Sequence, residues 1–246
     1  VVYRDCLPKT AWPPTYKECK KAGMGRTEFL YRASQIPGIY APMFYDVTYN
    51  EDGTIADFAP NREGVPEQIE KQIVMDLSDA TYPTAPIVPF IKATQDRVVL
   101  ENQRGCIRGC RFCQAGMLYR PTRERDVEML KKTAIAMLES TGHEEISLSS
   151  LSSSDYSQLP ELVNFLIDEC RQRGVNISLP SLRIDAFSLD VMNKVQDVRK
   201  SSLTFAPEAG SQRLRDVINK GLTEEIIIKG AGEAFEGGWN KVKLYF

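Results

Sequence analysis

The chain has 246 residues, 42% hydrophobic and 26% charged, with a formal net charge of −2. That is an ordinary globular composition, with no global attraction to nucleic acid or an anionic membrane surface. No run approaches the roughly 20 apolar residues of a membrane span, no charged start followed by an apolar core marks a signal peptide, and 6 cysteines in so long a chain fit a reducing, cytoplasmic compartment better than a disulfide framework.

Residues 1–95 read as an α+β extension. Thr15 to Ala22 predicts a short basic helix, and Thr27 is the expected cap of a second, Glu28 to Gln35, stopped before Pro37-Gly38. Tyr40 to Tyr49 is rich in aromatic and β-branched residues, Asn50-Glu51-Asp52-Gly53 is turn chemistry, and Thr54 to Phe58 returns as a hairpin. Residues 59–86 are polar and dotted with proline, a linker with an irregular strand expected near Ile73 to Leu77.

From Asp96 the pattern alternates strand and helix. The strands are Arg97–Glu101, Glu145–Ser149, Asn176–Pro180, Ser202–Ala206 and Lys241–Phe246; the helices run over about 126–140, 160–173, 189–196, 211–219 and 223–236. Val127, Leu130, Ala134, Met137 and Leu138 fall near helical spacing, and Gly142 and Gly174 stand where two helices should stop. Alternation of this kind predicts parallel pairing with right-handed crossovers. Five strands are too few to close an eight-stranded barrel, so residues 96–246 are expected to form an α/β, open, partial (β/α) barrel, cut at both ends and ending on its fifth strand.

Between the first strand and its helix lies Arg-Gly-Cys-Ile-Arg-Gly-Cys-Arg-Phe-Cys-Gln, residues 104–114, with Cys106, Cys110 and Cys113 in a Cys-x3-Cys-x2-Cys pattern. Thiolates so close in sequence make a soft ligand set for iron or zinc. Three ligands neither close a tetrahedral zinc site nor cap every iron of a cubane, which leaves one position open. A zinc knuckle would have to draw a fourth ligand from His143 or Cys170, and ferredoxin sites usually supply a fourth nearby cysteine. Arg104, Arg108, Arg111, Arg120, Arg123 and Arg125 flank the motif. They read either as a solvated loop surface or as compensation of an anionic cluster or substrate.

This motif, with Phe112 before its last cysteine, resembles the signature of the radical S-adenosylmethionine (SAM) enzymes. The resemblance implies a six-stranded partial barrel and a [4Fe-4S] cluster on Cys106, Cys110 and Cys113 whose fourth iron chelates SAM. It also implies reductive cleavage of SAM to methionine and a 5'-deoxyadenosyl radical, which abstracts hydrogen from a substrate the sequence does not identify. An electron donor such as a flavodoxin or ferredoxin is implied as partner. The wider run Gly105–Gly116, together with Glu28–Arg32 and Ile36–Pro42, resembles a narrower group whose N-terminal region is cobalamin-binding-like. The Asp-x-His-x-x-Gly loop with which many cobalamin domains ligate cobalt is not in this sequence: the single histidine is His143, in Thr-Gly-His-Glu, so cobalamin is not supported by this chain.

The resemblance also suggests SAM contacts. Phe112 and Gln114 would lie near adenine. Ser150 and Ser152 stand where the superfamily often has Gly-Gly-Glu-like residues touching the SAM amino group. Arg183 would form a bidentate bond to the SAM carboxylate, or else pair with Asp185 or Glu208. Glu208, Gly210 and Ser211, in Pro-Glu-Ala-Gly-Ser, would lie near the ribose and amino group. Two alternatives stay open: a methylthiotransferase-like enzyme acting on RNA or protein, which needs a second cluster, and a non-enzymatic iron–sulfur or zinc binding module.

Overall fold

The computed structural model describes residues 16–91, 93–179, 183–186 and 203–246. The polypeptide divides into two units, residues 1–75 with 79–81 and residues 76–78 with 82–246, where the sequence suggested a boundary at 95/96.

The first unit holds helices α1 (Tyr16–Lys21) and α2 (Arg26–Ser34) and an antiparallel hairpin of β1 (Tyr45–Tyr49) and β2 (Ile55–Pro60). Thr27 does not cap α2: the helix starts two residues earlier than expected, at Arg26 behind Gly25, with no side-chain cap. Ala41, Phe44, Tyr45 and Val65 form a small core, and Arg62 stacks its guanidinium 3.7 Å over the Tyr31 ring.

In the second unit β3 (Val98–Glu101), β6 (Glu145–Ser149) and β7 (Asn176–Ser178) pair in parallel, with Leu100 opposite Leu148 and Ile146 opposite Ile177. The connecting helices are α4 (Val127–Thr141) and α5 (Leu159–Arg173). Asp126 starts α4 by accepting from the Met129 amide at 2.9 Å. Gly142 and Gly174 end the two helices in the left-handed conformation, both at φ 68°, where a side chain would strain the backbone. Val98, Leu100, Leu130, Ile146, Leu148, Leu162, Val163 and Leu166 are almost wholly buried between strands and helices. A second ladder pairs β8 (Leu203–Phe205) with β9 (Val242–Leu244) in parallel, after α6 (Gln212–Val217) and α7 (Glu224–Glu236), over a core that includes Phe205, Ala234 and Trp239. The architecture is α/β, an open, partial (β/α) barrel of parallel strands. The helix expected over 189–196 lies outside the described residues.

Two expectations change. Residues 73–77 form no strand; Leu77 is instead an anchor, fully buried, with its carbonyl accepting from Arg125 at 2.7 Å. The stretch between β3 and α4 carries more order than the sequence suggested: a two-residue antiparallel pair, β4 (Gln103–Arg104) with β5 (Arg123–Glu124), and a short helix α3 (Gln114–Leu118). The pair closes the neck of a loop over residues 105–122. Among the described residues no helix is long and apolar enough to cross a membrane.

Candidate active site

The cysteine loop leaves the C-terminal end of β3, the end at which parallel α/β folds gather their chemistry. Its first residue, Gly105, has φ 85°, and a Cβ there would lie 2.7 Å from the carbonyl oxygens of both Tyr119 and Pro121. Only glycine lets the two arms of the neck approach this closely. Cys106 accepts from the Arg108 amide at 3.4 Å, and Cys113 caps α3 by accepting from the Gly116 amide at 3.2 Å.

Cys106, Cys110 and Cys113 line one cavity of about 270 Å³ together with Phe112, Ser152, Arg183, Glu208, Lys220 and Leu222. Four of the eight expected cofactor contacts, Phe112, Ser152, Arg183 and Glu208, therefore meet the cysteines. The other four are outside that lining, each with local work of its own. Gln114 is the exposed first residue of α3. The Ser150 hydroxyl bonds that of Ser153 at 2.9 Å. Gly210 accepts from Arg215 through its carbonyl at 2.9 Å, and Ser211 caps α6 by accepting from the Leu214 amide at 3.4 Å.

Arg183 already has a partner. Its Nε and Nη2 donate to the two carboxylate oxygens of Asp185 at 2.9 and 3.0 Å, so the edge expected to grip a SAM carboxylate is engaged within the protein. Glu208 holds a left-handed backbone at φ 68°, rare for a non-glycine residue, and its carboxylate lies 3.3 Å from Lys220 Nζ. A strained residue facing a cavity is common where geometry serves a site. Lys220 also lies 5.8 Å over the Phe112 ring.

Sequence reasoning missed Lys220 and the role of Arg108. From inside the motif, Arg108 donates through Nε and Nη2 to Asp155 at 3.0 and 2.5 Å and lies 3.4 Å from Asp185. It thereby ties the cysteine loop to the segments after β6 and β7. Burial pushes the Asp155 carboxyl up, but the Arg108 guanidinium bonded to it outweighs that and holds the group below the usual carboxylate range. The rest of the arginine cluster is likewise committed within the protein. Arg104 and Arg125 pair with Glu101, Arg111 donates to the Val217 carbonyl, Arg120 to that of Arg108 and Arg123 to that of Pro121. That favours a structural role over a grip on an anionic substrate.

The donor chemistry suits a cubane more than a single metal ion. In a cubane each thiolate caps a different iron and the fourth iron stays open, which matches three cysteines lining one cavity. The two candidate fourth ligands for zinc lie elsewhere. Cys170 is buried inside the α5 core, and His143 precedes β6, at the opposite end of the strands, 3.5 Å from Asp96. Three cysteines that line one cavity with cationic and anionic side chains fit a cluster that keeps one iron open to a zwitterionic ligand.

Comparison with known proteins agrees with this geometry. A family model described as the radical SAM superfamily matches residues 101–245. An uncharacterized protein of Methanocaldococcus jannaschii is 40% identical over 148 residues, 60% of this chain and 32% of that protein. A second protein of that organism, named as a candidate methylthiotransferase, is 25% identical over 139 residues, 52% of this chain and 30% of its own length. The chain thus spans about a third of the length of these curated relatives. The solved structure of the cobalamin-dependent SAM radical enzyme OxsB, with aqua-cobalamin and SAM bound, shares the fold at a TM-score of 0.55 and 16% identity, over 86% of this chain and 29% of that one.

Proposed function

The chain belongs to the radical SAM superfamily, and from that premise we propose that residues 96–246 are the core of a radical SAM enzyme, with a [4Fe-4S] cluster on Cys106, Cys110 and Cys113. The observation that carries the proposal is the shared cavity: three cysteines, Phe112, Arg183, Glu208 and Lys220 come from four separate segments and line one space. When bound and reduced, the cluster supplies the electron that cleaves SAM to methionine and a 5'-deoxyadenosyl radical, the group that takes hydrogen from substrate.

The protein's part is to bind, orient and exclude water. The Phe112 ring offers an apolar wall beside the last cysteine. Glu208 offers an acceptor for hydroxyl or ammonium hydrogens, and Lys220 a donor for a carboxylate. Because Glu208 and Lys220 pair with each other, a zwitterion entering between them exchanges one ion pair for two new charged contacts and leaves neither group unpaired. Arg183 acts through Asp185, which it shares with Arg108, so its effect on SAM is one of positioning. The electron comes from an external one-electron donor of the flavodoxin or ferredoxin class.

Similarity to the candidate methylthiotransferase supports a second reading within the same superfamily. Such an enzyme needs a further cluster. Outside the motif, Cys19 and Cys170 are both buried and belong to different units; Cys6 lies outside the described residues. Further ligands would have to come from elsewhere.

The test is anaerobic reconstitution with iron and sulfide. Wild type should take up a full cubane, and each single Cys→Ala variant should hold less iron. With dithionite and SAM, wild type should form 5'-deoxyadenosine above the level of a triple-cysteine variant. Full iron in any single variant, or no excess 5'-deoxyadenosine, overturns the proposal.

A further inference from the structure

Helix α6 ends in a turn that grips the cysteine loop. The Lys220 amide donates to the Arg215 carbonyl at 2.9 Å and the Asn219 amide to that of Asp216 at 3.0 Å. This is the paired bonding of a Schellman end, in which the left-handed position is usually glycine. Here it is Asn219, at φ 54°, and its side chain has a use. Asn219 Nδ2 donates to the Gly109 carbonyl at 2.8 Å. On the other side of Cys110, the Arg111 amide donates to the Ile218 carbonyl at 2.9 Å and its guanidinium to that of Val217. The middle cysteine is therefore flanked on both sides by bonds to one helix end more than 100 positions away, as the separations of 106 and 110 residues show.

Gly109 fits this arrangement for a reason its backbone alone does not supply. Its φ lies outside the left-handed range in which glycine is favoured, yet a Cβ there would lie 2.9 Å from Asn219 Nδ2, with no other atom beyond its chain neighbours within 4 Å. A methyl group at 109 would thus evict the Asn219 amide and meet nothing else. We propose that Asn219 is a positioning residue: it fixes the cysteine loop in its ligand-bearing shape before any cluster binds, and position 109 is glycine to admit its amide. The meaning of the clamp for catalysis rests on the proposed cluster, but the clamp itself does not.

The test reads the loop in the reduced, cluster-free protein by amide hydrogen exchange of residues 106–113. Asn219→Gly keeps the left-handed turn and removes the amide. It should speed exchange in this segment about two- to tenfold, the range expected of one net side-chain hydrogen bond, with residues 212–220 unchanged. Gly109→Ala should do the same. The double variant should exchange no faster than either single one, because both changes delete the same bond. Unchanged exchange in Asn219→Gly, or additive effects in the double variant, overturns the proposal. In reconstituted protein the same variants should lose iron to a chelator faster. If wild type binds no iron, the enzyme reading fails while the exchange data still decide the clamp.

Discussion

Arg108→Ala should convert a partly buried ion pair into a pH-dependent liability. Arg108 leaves 32% of its side chain exposed and Asp155 only 7%. Removing one partner of a fully buried pair costs about 3–5 kcal/mol because the other charge is stranded; with Arg108 a third exposed, about 2 kcal/mol is expected at pH 7. The sign of the pH dependence follows from Asp155, whose folded value is depressed in wild type. Its stabilising contribution is present above the unfolded carboxylate value of about 4 and is lost as pH falls through the depressed folded value. Without Arg108 the largest remaining influence is burial, which raises the group. The variant's deficit should therefore be greatest near neutrality, shrink as pH falls through the raised value that Asp155 takes without Arg108, and vanish below the depressed value it holds in wild type. Urea titrations of cluster-free wild type and variant at pH 7 and pH 4 measure both numbers. A deficit that is absent at pH 7, or equal at both pH values, would refute this account of how the loop is tied to β6.

Three further outcomes are expected. Glu208→Gly should be more stable than Glu208→Ala by about 1 kcal/mol, because only glycine occupies φ 68° without penalty, and both should weaken SAM binding, as read by thermal melts and calorimetry. Asp126→Ala should destabilise the protein by about 1 kcal/mol through loss of the α4 cap, seen as a lower urea midpoint with unchanged slope. Burial pushes the Cys170 thiol up to about 11, so in native cluster-free protein at pH 8 alkylation should reach the part-exposed Cys106 and Cys113 first and Cys170 last, as mapped by mass spectrometry.

The barrel half was legible where local chemistry and tertiary packing agree. Asp126, the apolar stripe of α4, Gly142 and the alternation in Glu145–Ser149 each point to the element that forms. The β4–β5 neck was not legible, because a two-residue ladder has no period and exists only once residues 105–122 close on themselves. Ile73 to Leu77 read as a strand because buried apolar residues look alike in sequence; Leu77 is buried as an anchor for Arg125. In the site, the cysteines announced themselves by spacing. Lys220 and Asn219 did not, since they are more than 100 residues from the loop they touch; the one local signal was an asparagine just after a helical run, where glycine is usual. Arg183, expected near the cofactor from its strand-end position, lines the cavity with the cysteines. Of the partners the sequence offered it, the backbone geometry selects Asp185, two residues on.

The most direct measurement is the electron paramagnetic resonance spectrum of the anaerobically reconstituted, dithionite-reduced protein with and without SAM. The account predicts a reduced [4Fe-4S] signal, absent in the triple-cysteine variant, whose g values move when SAM is added because one iron is open to it. A protein with no such signal, or a cluster whose spectrum SAM leaves unchanged, would contradict it.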